Sequence, residues 1–381
     1  MEPVAKVHGS RKSMILTPFS RASKACPLCI DGGLPKRAGE EMQTRTGLKG
    51  RFYAPETFAT GSLSWKQILK QNFTQVIELA DYLQLTDEHR VRLLQRPKFV
   101  LNIPRRLAEK IEKGTLDDPI LRQFVPLVDE RVETPGFTQD PVCDGTFRKD
   151  KKILHKYSKR ALLVATSACA MHCRFCFRQN FPYETSPEVE GAIQYFREHT
   201  DLDEVIFSGG DPLSLPDATL DRYLGAFNEM SHLKRIRFHT RFPVGIPERI
   251  DAGFLSVLNK CRKQVYFILH CNHPKELDAD VVSALRQIAQ LGVVLLNQSV
   301  LLKGVNDDEK VQLALSEALV NAGIIPYYLH ALDPVHGTAH FHVPDSRALE
   351  LVQHVQQNSS GYAVPRFVRE EPGKPSKTYL M

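Results

Sequence analysis

The stretch Arg160-Ala-Leu-Leu-Val-Ala-Thr166-Ser-Ala-Cys169-Ala-Met-His-Cys173-Arg-Phe-Cys176 runs from an apolar segment straight into three cysteines. Ala161–Thr166 predicts a buried β-strand, because a short aliphatic run bounded by polar residues suits a strand covered on both faces. The cysteines sit in the loop that follows, with three and then two residues between them, and can converge on one metal centre. Thiolates grouped in this way suit an iron–sulfur cluster or zinc. Structural zinc usually takes a second Cys or Cys/His pair, and His172 lies inside the loop rather than at the spacing of such a pair. A cubane cluster has one more iron than this loop has thiols, so one iron would stay open to a small-molecule ligand. The triplet alone still leaves room for buried structural cysteines, or for zinc completed from elsewhere in the chain.

A βα rhythm extends outward from this strand. Further apolar runs occur at Glu204–Ser208, Arg235–His239, Val265–His270, Val293–Asn297 and Ile325–His330, separated by amphipathic segments. The stripe Leu277, Val281, Val282, Leu285, Ile288 and Leu291 has helical period. Six βα units are two short of a closed eight-stranded barrel. The expected fold is therefore α/β, a partial, open (β/α)6 barrel with its site at the C-terminal strand ends. Motifs with chemical potential fall at those ends: Cys169 after the first strand, Ser208-Gly-Gly-Asp-Pro-Leu213 after the second, and His239-Thr-Arg-Phe-Pro243 after the third. His270-Cys-Asn-His273, Asn297-Gln-Ser299 and His330-Ala-Leu-Asp333 follow the fourth, fifth and sixth. Polar groups gathered at one rim are hard to account for as packing.

Upstream, residues 62–150 read as a helical lead-in. Trp65, Ile68, Leu69, Phe73, Val76, Ile77, Leu79 and Ala80 recur at helical spacing after a candidate cap at Ser64. A second helix is expected over Thr86–Leu94 and a third over Pro104–Glu112, and 117–141 reads as an extended connector. Residues 151–381 form the barrel and a C-terminal segment. Residues 1–61 lack periodicity and read as a poorly ordered arm, with Cys26-Pro-Leu-Cys29 inside it and Met42 as an alternative start.

Composition sets the class. The chain has 381 residues, 42% hydrophobic and 25% charged, with a formal charge of +6. It has no apolar run of about 18 residues, so no membrane span is expected. Met1-Glu2-Pro3 lacks the order of a secretory signal. Eight cysteines, three of them in one loop, point to a reducing, cytoplasmic setting. The densest basic patches, Lys149-Asp-Lys-Lys152 and Lys234-Arg-Ile-Arg237, flank strands rather than gather on one face, which argues against nucleic acid as a partner.

Gly209 and Gly210 would let backbone approach a ligand closely. Lys377, in Pro375-Ser-Lys377-Thr378, reads either as a solvated terminal lysine or as one that bonds an aldehyde cofactor, which needs cations for its phosphate. Arg160 and Tyr157 stand ready for that role just before the first predicted strand.

Taken together, the cysteine triplet, Phe177-Arg178, the Ser208 motif, Asn297-Gln-Ser-Val-Leu-Leu-Lys-Gly-Val-Asn306, Pro326-Tyr-Tyr328 and the Lys377 motif resemble the lysine 2,3-aminomutases. Those are radical S-adenosylmethionine (radical SAM) isomerases that also carry pyridoxal phosphate, and the likeness runs from about residue 64 to the end. The resemblance implies a [4Fe-4S] cluster on Cys169, Cys173 and Cys176. It also implies S-adenosyl-L-methionine held by Gly209, Gly210, His270 and Gln298, and pyridoxal 5'-phosphate on Lys377 with Arg160 and Tyr157. Arg178 would take the substrate carboxylate, and Asp333 and Glu370 its distal ammonium. Cys176-Phe-Arg-Gln-Asn-Phe-Pro-Tyr183 is most similar to the bacterial members that make (R)-β-lysine for elongation factor P. That would bring L-lysine, an electron donor for the cluster and a link to an elongation factor P lysyl-transferase. A catabolic aminomutase for lysine or another amino acid is the alternative within the class, and a non-catalytic iron–sulfur electron carrier or regulator the alternative outside it.

Overall fold

Residues 63–183 and 188–381 are described by the computed structural model. The arm 1–61, with Cys26 and Cys29, lies outside the described residues. Ten strands make one sheet: β1 (Arg148–Asp150), β2 (Ile153–Tyr157), β3 (Arg160–Thr166), β4 (Glu204–Gly209), β5 (Arg235–Thr240), β6 (Gln264–Leu269), β7 (Val294–Val300), β8 (Ile325–His330), β9 (Arg366–Arg369) and β10 (Thr378–Tyr379). Their order in the sheet is their order in the chain. The run from β3 to β9 is parallel, with antiparallel β1, β2 and β10 at its ends. The six expected parallel strands are β3 to β8.

Five short helices precede the sheet: α1 (Trp65–Leu69), α2 (Val76–Tyr82), α3 (Asp87–Arg90), α4 (Arg105–Glu109) and α5 (Pro119–Phe124). Along the parallel run follow α6 (Glu190–Glu198), α7 (Asp217–Asn228), α8 (Phe242–Gly245), α9 (Ala252–Asn259), α10 (Ala279–Ala289), α11 (Glu309–Asn321) and α12 (Asp345–Asn358). Aspartates start three of the crossover helices. Asp251, Asp278 and Asp308 accept from the amides of Phe254, Val281 and Val311 and satisfy donors that the helix cannot. On α10 the stripe read from the sequence turns Val281, Ala284, Leu285 and Ile288 into the core.

Packing between strands and helices is continuous with the lead-in, since one buried apolar cluster extends from Trp65 to Ile324. At its centre Phe207, Phe238 and Phe267 stand side by side in register on β4, β5 and β6. Phe207 and Phe238 stack with ring centroids 4.7 Å apart.

Several local expectations are corrected. The helix read across 65–80 is broken, because Phe73 leaves it to bridge Ile103 and the Asn72 amide turns away to Asn102 and Ala170. The second and third helices are shorter than their apolar patterns, ending at Arg90 and Glu109. The connector 117–141 is not extended throughout: Asp118 caps α5 through the amides of Ile120 and Leu121, with Pro119 at its first position. β7 runs on to Val300, so Gln298 and Ser299 lie in the strand rather than after it. Its register to β8 shifts between Asn297 and Gln298, and such a bulge re-aims the side chains beyond it. β9 and β10 were not foreseen, because a four-residue and a two-residue strand leave almost no periodic signal.

Replacing Phe238 by Ala removes the middle ring of the stacked row. It is expected to cost about 3–5 kcal/mol, measured as a lower denaturant midpoint at unchanged slope.

Candidate active site

The cysteine loop is fixed from both sides by backbone. From below, the amides of Gly210 and Asp211 donate to the carbonyls of Thr166 (2.7 Å) and Ala168 (2.8 Å). A Cβ on Gly210 would stand 2.4 Å from the Ala168 oxygen, and Gly209 has φ +110, so neither position accepts a side chain. Asp211 then gathers the β5 end, accepting from the Thr240 hydroxyl (2.7 Å) and the Arg241 amide (2.8 Å). From the lead-in, Asn72 Nδ2 donates to Ala170 O at 2.8 Å and Asn102 Nδ2 to Cys169 O at 3.2 Å. The His172 amide donates to Asn102 O (2.9 Å), and its ring Nδ1 donates to Val100 O (2.8 Å). A loop held by this many backbone bonds presents its side chains in one arrangement.

Cys169, Cys173 and Cys176 are free thiols that line one cavity of about 780 Å³. Burial pushes all three thiols up, Cys176 to about 11. Arg241 opposes this at Cys173, donating from Nη1 to Sγ at 3.0 Å. Its other nitrogen is held by Glu276 Oε2 (2.7 Å) and Gln123 Oε1 (2.5 Å). Among the described residues no three His, Cys, Asp or Glu side chains group as ligands of a single metal ion. The donor set that does share a wall is three thiols beside the Gly209-Gly210 backbone, with a guanidinium to balance negative sulfur. That set suits an iron–sulfur cluster, which Cys169, Cys173 and Cys176 would hold.

The opposite end of the cavity is built on β2, β8, β9 and the C-terminal segment. Lys377 Nζ pairs with Glu370 Oε2 at 2.8 Å, while Lys156 Nζ and the Tyr157 hydroxyl both reach Oε1 at 2.6 Å. Burial works against the charge on Glu370, but Lys377, Lys156 and Tyr157 outweigh it and hold its pKa at about 2. Asp333 has no such set of partners. Burial raises it to about 7 against the pull of Lys377. Arg160 lies with its guanidinium 4.1 Å from the Tyr157 ring centroid, on the tight β2–β3 turn.

Arg178 stands between the two ends. Asp144 holds its Nε at 2.8 Å and the Ser208 hydroxyl accepts from Nη1 at 3.1 Å, leaving Nη2 for a ligand. His239 Nδ1 and His270 Nε2 share a hydrogen bond of 3.1 Å. Burial, then the cations Arg241, Arg178 and Lys377, press His270 down to about 3, so it meets a ligand as neutral imidazole.

Every residue expected at the site lines this one cavity: the three cysteines, Tyr157, Arg160, Arg178, Gly209, Gly210, His270, Gln298, Asp333, Glu370 and Lys377. Glu370, however, meets Lys156 and Lys377 rather than standing free. Asp144, Lys156, Arg241, Glu276 and Tyr183, whose hydroxyl donates to Gly209 O at 3.0 Å, were missed. Only Tyr183 and Arg241 carried a hint, each lying inside a motif already quoted.

No family model matches the chain. It is 40% identical over 320 residues to an L-lysine 2,3-aminomutase of Haemophilus influenzae, covering 83% of this chain and 95% of that one. A namesake from Escherichia coli is 40% identical over 322 residues, covering 83% and 94%. One from Clostridium subterminale is 32% identical over 323 residues, covering 83% and 77%. A solved radical SAM methyltransferase from Sphaerobacter thermophilus is more distant, 17% identical with a TM-score of 0.42 over 57% of this chain and 68% of its own. A likeness that spans nearly the whole length of the first two relatives, joined to a cavity lined by every expected site residue, establishes that the chain belongs to the lysine 2,3-aminomutase family.

Proposed function

We propose that the protein is a radical isomerase that moves the α-amino group of L-lysine to the β-carbon, forming (R)-β-lysine. The observation that carries this reading is that Lys377, Arg178 and the three thiols of the cysteine loop line a single cavity. When bound there, the cluster with S-adenosylmethionine supplies a carbon radical able to take an unactivated hydrogen, and pyridoxal phosphate supplies a carrier for the migrating nitrogen.

The chain's own residues position and select. Arg178 is turned by Asp144 so that its free edge meets a carboxylate, a task for which a planar fork suits better than an ammonium. Asp333 and Glu370, at the other end, attract a distal ammonium and repel a side-chain carboxylate, which sets both length and charge. Lys377 would hold the cofactor, which would leave Glu370 Oε2 for a substrate ammonium while Lys156 pairs with Oε1. Lys156, Arg160 and Tyr157 form a cationic and hydroxyl corner for a phosphate. Leu154, Leu162, Ile206 and Phe177 line the cavity between these polar ends and keep water from reactive carbon. Neutral His270, together with Gln298, offers hydrogen bonds without a labile charge.

We further assign the β-lysine to modification of elongation factor P, on the similarity of Cys176–Tyr183 to that branch. An electron donor must reduce the cluster. Among the described residues no helix is long and apolar enough to cross a membrane.

Anaerobic reconstitution with iron, sulfide, both organic cofactors and lysine is expected to yield β-lysine by mass spectrometry. S-adenosylmethionine cleavage without any lysine isomerisation would refute the assignment. Lys377→Ala should abolish isomerisation and the visible absorbance of bound pyridoxal while leaving S-adenosylmethionine cleavage measurable. Arg178→Lys, which keeps the charge and loses the fork, should weaken lysine binding by roughly tenfold, about 1.4 kcal/mol.

The Asp333 carboxyl, raised to about 7, is neutral below that pH and attracts no ammonium; above it the carboxylate does. KM for lysine should therefore fall as pH rises from about 6 to about 8. Asp333→Asn should flatten that dependence.

A further inference from the structure

We propose that a groove beside the helical lead-in, flanked in sequence by exposed cations, is the docking surface for a small acidic electron-carrier protein. The inference rests on the cluster reading of the cysteine loop. The groove, of about 470 Å³, is lined by Leu69, Thr74, Gln75, Val100, Leu101 and Asn102, with Cys169 and His172 in its floor. Cys169 and His172 also line the interior cavity. One layer of residues therefore separates solvent from the cluster site.

That layer is tightly connected. His172 stacks on Phe99 with centroids 4.6 Å apart. Its Nδ1 donates to the carbonyl of Val100, a residue 57% exposed at the groove surface. The path from groove to thiol thus runs through one hydrogen bond and covalent bonds from His172 to its neighbour Cys173.

Charge identifies the partner. The groove is lined by Leu69, Thr74, Gln75, Val100, Leu101 and Asn102, and the stretches around them, 66–75 and 96–105, carry Lys66, Lys70, Arg96, Lys98 and Arg105 and no carboxylate. All five cations are exposed. Arg105 is held over the Phe73 ring at 4.7 Å, beside the wall residue Thr74. In a chain with 50 Lys and Arg against 44 Asp and Glu, so one-sided a pair of segments is a local field rather than an average. Such a field steers a protein of opposite charge to its site. A nucleic acid or an anionic membrane would also be attracted, but neither gains from a thiol ligand in the floor of its site. An electron carrier does.

The step transfers one electron. The anionic, fully reduced flavin of the carrier gives it up and becomes the neutral one-electron form with no proton moved, and the cluster takes it, passing from the 2+ to the 1+ level.

The test uses the full chain, loaded and unloaded, with an FMN flavodoxin as probe. The variant Lys70→Glu/Lys98→Glu/Arg105→Glu touches neither the thiols nor the interior cavity, and unchanged thermal midpoint and cluster absorbance certify its fold. The expected result is at least tenfold weaker flavodoxin binding and at least tenfold slower anaerobic oxidation of the reduced flavin. S-adenosylmethionine cleavage driven by dithionite should be unchanged, and wild-type binding should weaken steeply with salt. Flavodoxin binding and electron transfer that survive the triple charge reversal overturn the proposal. So does a groove that binds short duplex DNA or anionic vesicles but not flavodoxin. If dithionite fails to drive cleavage in the wild type, the cluster reading falls, and binding to the unloaded chain alone decides the surface.

Discussion

A guanidinium is buried where three pieces of the chain meet. Arg241, at the end of β5, touches the Cys173 sulfur, the Glu276 carboxylate beyond β6, and Gln123 on α5. Gln123 and Glu276 are fully buried. Taking such an ion pair out of water is costly, and hydrogen bonds from neighbouring groups offset that cost. Asn272 completes the set: its side-chain amide donates to the Gln123 oxygen and its backbone amide to Glu276 Oε1. Arg241 Nε is buried without a hydrogen-bond partner, but the other groups of the cluster are each shared by two or more elements, so none of those can shift without leaving a charge or an amide unpaired. The helical lead-in, the cysteine loop and the strand ends are thereby locked to one another.

That lock explains how a loop between a strand and a distant helix can hold three thiols in place. The floor is set by the Gly209-Gly210 backbone pressing on Thr166 and Ala168 at distances no side chain would permit. The roof is set by Asn72 and Asn102. Both asparagines hydrogen-bond peptide groups of the loop, so the lead-in acts as part of the site wall and not as a separate appendage. The other end of the cavity follows a different logic. There the groups are ionic and partly interchangeable: Glu370 shared among Lys156, Lys377 and Tyr157, and Asp333 left near the midpoint of its titration. A rigid end suits a fixed cluster, and an end with exchangeable partners suits ligands that arrive and leave.

Much of the architecture was legible from residue order. Six aliphatic runs at regular intervals specify buried parallel strands because a strand covered on both faces needs apolar side chains on both. Polar motifs immediately after those runs must sit at one rim, because all parallel strands end on the same side. What the pattern hid were places where a side chain overrides local preference. Asn72 ends a helix by bonding to a loop some 98 residues away. The bulge after Asn297 carries β7 past its expected end, and the Asn297 side chain there bonds the Cys271 backbone just beyond β6 in both directions.

Spacing by itself determined which residues bear the chemistry: three cysteines close enough in sequence to share a centre, two glycines at a strand end, an arginine two positions after the last cysteine, and a lysine in the C-terminal segment. Such motifs are local, and local chemistry survives in a string of letters. Only the tertiary structure decided what stands next to what. Nothing in the order of residues places Asp144 on Arg178, Lys156 on Glu370, or Glu276 on the arginine that touches Cys173, since each pair joins segments far apart in sequence. The pairing of buried charges is settled by which strand ends the sheet brings together.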